Sequence, residues 1–212
     1  MDSASRLRIR RRWQPMRRLA LSLTALGVTS EMVAITGMVL GILGGFSFLF
    51  TGESTNPSLF WGIGMICCIL RIFCIRMDSL LHHHHSRVTM EEVFVTELPE
   101  RVSDAVTLIG FGFAFNSNSW LGLATALAAI FSAYVRSVGV MKGAGKKSAG
   151  SGPMTRVHRL LLLSITAALM MVDFPKEHLS TPIPQIALWV ILFGCAATIL
   201  IRWLKLQEYA DS

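Results

Sequence analysis

Charge is what this chain has least of. Only 16% of its 212 residues are Asp, Glu, Lys or Arg, against 52% hydrophobic. A soluble domain of this size carries more charge and shorter apolar runs. That argues against a water-soluble fold, and nothing suggests a second, soluble domain. Cysteine is scarce as well. Cys67, Cys68, Cys74 and Cys195 all lie in apolar runs and none forms a CxxC pair. A disulfide framework is thereby excluded, leaving four small buried hydrophobes. No nucleophile-base-acid triad, phosphate-binding glycine loop or HExxH occurs. No internal repeat is long enough to suggest the inverted halves of a transporter.

Acidic residues are the scarcer sign, 13 against 20 basic, for a net charge of +7. In a soluble protein that excess would raise nucleic acid as a partner. Here there is no basic stripe interleaved with aromatics and no zinc-finger spacing. The basic residues flank apolar runs, which points to anionic membrane lipids and to no nucleic acid.

Long apolar runs are what the chain does have. They predict an all-α membrane protein with six transmembrane helices, at about 32–50, 59–77, 104–116 extended backward, 119–138, 159–173 and 184–204, since roughly 20 apolar residues cross the hydrocarbon as a helix. Gly41, Gly44 and Gly45 allow close helix contact in the first. Residues 1–18 hold seven arginines and one acid, and Ile9, Trp13, Met16, Ala20 and Leu23 form a narrow apolar stripe. This predicts an N-terminal amphipathic helix lying on the membrane. A cleaved signal peptide is the rival reading, but no small-x-small cleavage site follows Leu19–Val28. The division is then a basic interfacial segment, 1–28, a six-span domain, 29–205, and a short tail, 206–212. The three loops opposite the N-terminus hold a single lysine, Lys176, and the other 19 basic residues lie on the N-terminal side or in span ends. The positive-inside bias therefore places both termini in the cytoplasm, in an inner-membrane protein.

Carboxylates gather where the second and third spans meet that same side. Asp78 ends one apolar run; Glu97, Glu100 and Asp104 lead into the next at i, i+3, i+7, along one side of a helix. Acids at a membrane boundary are costly to desolvate unless paired, metal-bound or wet, so they are candidate functional groups. Apart from Arg71, the ionisable residues lie at the boundary and not mid-membrane, which disfavours a channel or transporter. His82–His85 is read as a solvated loop, because four adjacent residues cannot all face one ion.

This arrangement resembles the CDP-alcohol phosphatidyltransferase family, six-span enzymes of phospholipid synthesis whose signature is D-x2-D-G-x2-A-R-x8-G-x3-D-x3-D. Laid without gaps, the second aspartate falls on Asp78 and the last on Glu100, with Ser79 at the glycine and Ile75 and Thr96 at the first and third aspartates. If His82–His85 is an insertion, Arg87 recovers the motif's arginine and Glu100 and Asp104 become the third and fourth acids. Both registers keep Asp78 and Glu100, and both place Ile75 at the first acid. Gly27-Val-Thr-Ser-Glu-Met-Val33 is similar to the family's Gly-Val-Thr-Pro-Asn entry. Tyr134-Val-Arg136 and Gly152-Pro-Met-Thr-Arg-Val-His-Arg159 resemble a bacterial subgroup.

The resemblance implies transfer of a phosphatidyl-type group from a CDP-activated lipid to an alcohol, with release of CMP. It implies a divalent metal, magnesium or manganese, on Asp78, Glu100 and Asp104, with Glu100 or Asp104 as the base. Arg87, Arg136, Arg156, His158 and Arg159 would bind substrate phosphate. The partners implied are a CDP-linked lipid donor, a small alcohol acceptor and a second copy of the chain as homodimer. With Ile75 in place of an acid, the alternative is a degenerate relative that binds lipid or a membrane partner without catalysis.

Overall fold

The computed structural model describes residues 27–81, 90–141, 152–172 and 182–210, with side chains given for all but 81, 90–98, 141 and 208–210. The expected interfacial helix, His82–His85, Arg87, Lys176 and residues 142–151 lie outside it, as do the side chains of Thr96 and Glu97. Six helices and no strands occur among the described residues: α1 Ser30–Phe50, α2 Pro57–Leu81, α3 Met90–Gly112, α4 Ser119–Met141, α5 Arg156–Met171 and α6 Ile183–Ala210. The all-α expectation therefore holds. Four of the six, α1, α2, α4 and α6, are long and apolar enough to cross a membrane. The other two depart for visible reasons. At 16 residues α5 rises about 24 Å, less than the roughly 30 Å hydrocarbon thickness. The first half of α3 carries the acids and also Pro99.

Helix α1 is the centre, packed on both α2 and α3; α2 leans on α5, α3 on α4, and α4 on α6. A few contacts between α5 and α6 close the circuit. The α1–α3 approach is the tightest. A Cβ placed on Gly110 would lie 2.0 Å from the Gly45 carbonyl oxygen. Only glycines permit that backbone contact, a small-residue interface of the kind membrane helices use.

The end of the bundle away from the acids is sealed by aromatic packing. Phe48, Trp61 and Phe111 meet with ring centroids 5.0 to 5.6 Å apart, in tilted and edge-on geometries that aromatic pairs favour. Beside them the buried Thr51 hydroxyl donates to the Phe48 carbonyl and accepts from the Phe115 amide at 2.9 Å. A polar turn, Asn116-Ser-Asn-Ser119, links α3 to α4. Asn116 takes a left-handed φ of 62°, tolerated by asparagine, and Asn118 caps α4 by accepting from the Leu121 amide at 3.1 Å. With one end shut and the helices fixed there, polar chemistry is confined to the other.

Candidate functional site

Two helix starts set the geometry of that polar end. Thr29 begins α1, its hydroxyl accepting from the Met32 amide, and the next residue, Ser30, donates to Asp78 on α2. Thr155 begins α5. Just before it, Gly152 has φ +144° and a Cβ there would strike the Thr198 methyl at 2.3 Å. The Thr198 hydroxyl in turn accepts from the Met154 amide at 3.0 Å. This docking onto α6 aims the first turn of α5, with Arg156 and Arg159, into the bundle.

Asp104 is the hub. It is almost fully buried on α3, and guanidinium groups engage both of its oxygens. Oδ1 accepts from Arg71 of α2. Oδ2 accepts from Arg159 at 2.7 Å and lies 3.3 Å from Arg156 Nε. Arg71 also donates to the Thr107 hydroxyl at 3.2 Å and to the Glu100 carbonyl at 3.3 Å. Room for its head comes from Gly41, where a Cβ would approach Arg71 to 3.1 Å and the Ser103 hydroxyl to 2.0 Å. One turn nearer the boundary, the Glu100 carboxylate pairs with Arg156. An ion cluster this deep is costly to desolvate, and only such dense mutual contact offsets that cost.

Two cavities adjoin the cluster. The smaller, of about 20 Å³, is lined by Ile75, Asp78, Glu100, Ser103, Arg71 and Arg156, among others. It holds the two acids shared by both motif registers. Asp104 lines neither cavity. The larger, of about 240 Å³, is walled by Arg101, Arg136, Arg156, Arg159 and Arg202, with Ser132 and Thr155, and among the described residues by no carboxylate. Arg202 is held in its wall by donating to the Ser132 carbonyl and, at 3.1 Å, to the Ser132 hydroxyl. Arg156 and Ile75 line both cavities.

The structure thus brings Asp78, Glu100, Arg136, Arg156 and Arg159 to two neighbouring cavities that share Ile75 and Arg156 as wall. His158 stands apart. It is exposed on α5, and its Nδ1–H donates to the Pro153 carbonyl at 3.0 Å. Arg71, Arg101 and Arg202 were not among the residues expected from sequence. Arg71 and Arg202 each interrupt a long apolar run, and an isolated arginine in a span is itself a sign of function.

The donors described at the site do not by themselves suit a divalent cation. Such ions need several converging oxygens. Asp78 is bonded by Ser30, Glu100 by Arg156, and Asp104 by three arginines. Among the described residues no three His, Cys, Asp or Glu side chains converge as a cation site.

No protein-family model and no curated protein matches this sequence. Solved structures do. The crystal structure of Mycobacterium tuberculosis phosphatidylinositol phosphate synthase (PgsA1) in complex with manganese and citrate superposes with a TM-score of 0.66 at 16% identity, covering 90% of this chain and 88% of that one. The same enzyme with CDP-DAG bound gives a TM-score of 0.65 at 16% identity, over 90% and 92%. Its apo form gives 0.65 at 16% identity, over 90% and 95%. The chain therefore shares the fold of this phosphatidylinositol phosphate synthase.

Proposed function

We propose that this protein is an integral membrane transferase that moves a phosphatidyl-type group from a CDP-linked lipid to an alcohol, releasing CMP. The observation that carries this reading is the pair of adjacent cavities, one lined by Asp78 and Glu100 and the other walled by five arginines, with Arg156 common to both. A phosphoryl transfer needs both halves, a base for the hydroxyl and positive charge for the phosphates. The fold shared with PgsA1 supports it. In this reading all six helices are spans, the short α5 being met by local thinning of the bilayer, with the polar end and both termini cytoplasmic, as the arginine and lysine distribution favours.

In this reading the acceptor oxygen bonds to the lipid-side phosphorus. The bond from that phosphorus to the bridging oxygen breaks, and CMP leaves with it. The hydroxyl proton passes to Glu100. Arg136, Arg156 and Arg159 hold phosphate, joined by Arg101 and Arg202. Asp104 fixes Arg71, Arg156 and Arg159 in place.

The test is CMP release from CDP-diacylglycerol in proteoliposomes supplied with candidate alcohols. Release that disappears in Glu100→Gln supports the reading; equal turnover in that variant removes Glu100 from the chemistry. One observation favours a second reading. Ile75 presents a hydrocarbon wall to both cavities, where the family signature has its first acid. A lipid-binding protein without turnover would bind CDP-diacylglycerol and release no CMP with any acceptor.

A further inference from the structure

We infer that this site takes its phosphate-bearing ligand without a divalent cation, the ligand's charge being neutralised by guanidinium groups of the chain. The inference rests on the transferase reading only for the identity of the ligand, a nucleoside diphosphate lipid.

The wall of α2 that faces the site carries Arg71, Ile75 and Asp78 at i, i+4 and i+7, one face of a helix. Its middle position is apolar. A metal shared across the cavity would meet hydrocarbon there instead of an oxygen. On α3 the hub carboxylate, Asp104, already accepts from guanidinium groups at both oxygens. Glu100 is engaged by Arg156. A cation entering would have to break these pairs and leave buried arginines uncompensated, which is strongly unfavourable.

The local charge has the sign that suits an anion. Among the described residues, six arginines, 71, 101, 136, 156, 159 and 202, surround the two cavities and the hub, against the three carboxylates Asp78, Glu100 and Asp104. A dication would enter a region of positive charge; a diphosphate would complete it. Guanidinium is the side chain matched to this task, because its planar fork meets phosphate oxygens two at a time and it stays charged when desolvated. Arg156 stands in the wall of both cavities. It can exchange its pair with Glu100 for a phosphate oxygen without leaving its place.

The test uses the full chain purified in detergent and has two arms. In the first, Mn2+ alone is titrated and followed by the EPR signal of the free ion. The expected result is no stoichiometric uptake; one or two tightly held ions per chain overturn the inference. In the second, inorganic pyrophosphate is titrated calorimetrically in EDTA. Saturable binding is expected, about tenfold weaker in Arg136→Gln or Arg101→Gln, variants at the cavity wall outside the Asp104 hub. Binding that requires Mn2+, or affinity unchanged in both variants, overturns it. CDP-diacylglycerol in nanodiscs separates the two readings. Pyrophosphate binding in EDTA with no binding of the lipid supports the cation-free site and sinks the proposed donor.

Discussion

Arg156 is shared between Glu100 and Asp104: one guanidinium pairs with the carboxylate at the cavity wall and with the carboxylate of the buried hub. It therefore couples the residue proposed as base to the residue that organises the arginines. In the proposed reading Glu100 stays paired with Arg156 until a phosphate oxygen takes its place there.

That coupling is measurable. A hydrophobic carbodiimide modifies free carboxylates, so Arg156→Gln is expected to raise labelling of Glu100 severalfold over the native chain, read by mass spectrometry. Inorganic phosphate should raise it in the native chain and leave the variant unmoved. Equal labelling in both proteins, with and without phosphate, would show that Arg156 does not restrain Glu100.

Asp104→Asn is expected to be the most damaging single change in the site. It leaves three buried arginines facing a neutral amide, and removing one member of a buried ion pair costs on the order of 3–5 kcal/mol. Glu100, at the cavity wall, is less enclosed, with 23% of its side chain exposed against 6% for Asp104. Glu100→Gln should therefore cost less, because Arg156 keeps its pairing with Asp104. Thermal unfolding in detergent should show a large fall in midpoint for Asp104→Asn and a small one for Glu100→Gln. The reverse order would mean that the hub is not what holds these helices together.

Ile75→Asp tests the apolar wall from the opposite direction. It sets a third carboxylate beside Asp78 and Glu100 in one cavity. Without a cation, like charges should lower the unfolding midpoint. With Mn2+ that loss should be recovered, while the native midpoint stays where it was. A native chain stabilised by Mn2+ to the same degree would contradict the cation-free site.

Gly110→Ala probes the scaffold apart from the chemistry. The added carbon would lie 2.0 Å from the Gly45 carbonyl oxygen, backbone against backbone, with no flexible side chain to give way. Overpacking of this kind costs about 1–3 kcal/mol. A lower midpoint with the same pyrophosphate affinity per folded molecule is expected.

Much of the scaffold is legible in apolar run length, because a hydrocarbon span leaves a coarse signal that needs no partner. The predicted segments 32–50, 59–77, 119–138 and 184–204 each fall inside an observed helix. The acids of α3 and the glycines of α1 are visible for the same reason: each is an exception within its run. Partnership is what spacing does not show. Asp104 and Arg159 are 55 residues apart, and Arg71 and Asp104 33. Nothing local to Asp104 says that three arginines from two other helices surround it. In the sequence Arg202 is a single arginine near the end of a span, with nothing local to set it apart from a headgroup anchor. Only the packing of α4 and α6 turns it inward, onto Ser132.

The buried pair of Arg71 and Asp104 also bears on how the chain is made. Synthesis runs from α2 to α3 to α5, so Arg71 reaches the bilayer before Asp104 exists, and Asp104 before Arg156 and Arg159. An unpaired arginine within an apolar helix is a poor resident of hydrocarbon. Helix α2 is therefore expected to stay beside the insertion machinery, or shallow in the membrane, until α3 joins it. Inserting this protein and assembling its site become one event, completed only when the fifth helix arrives.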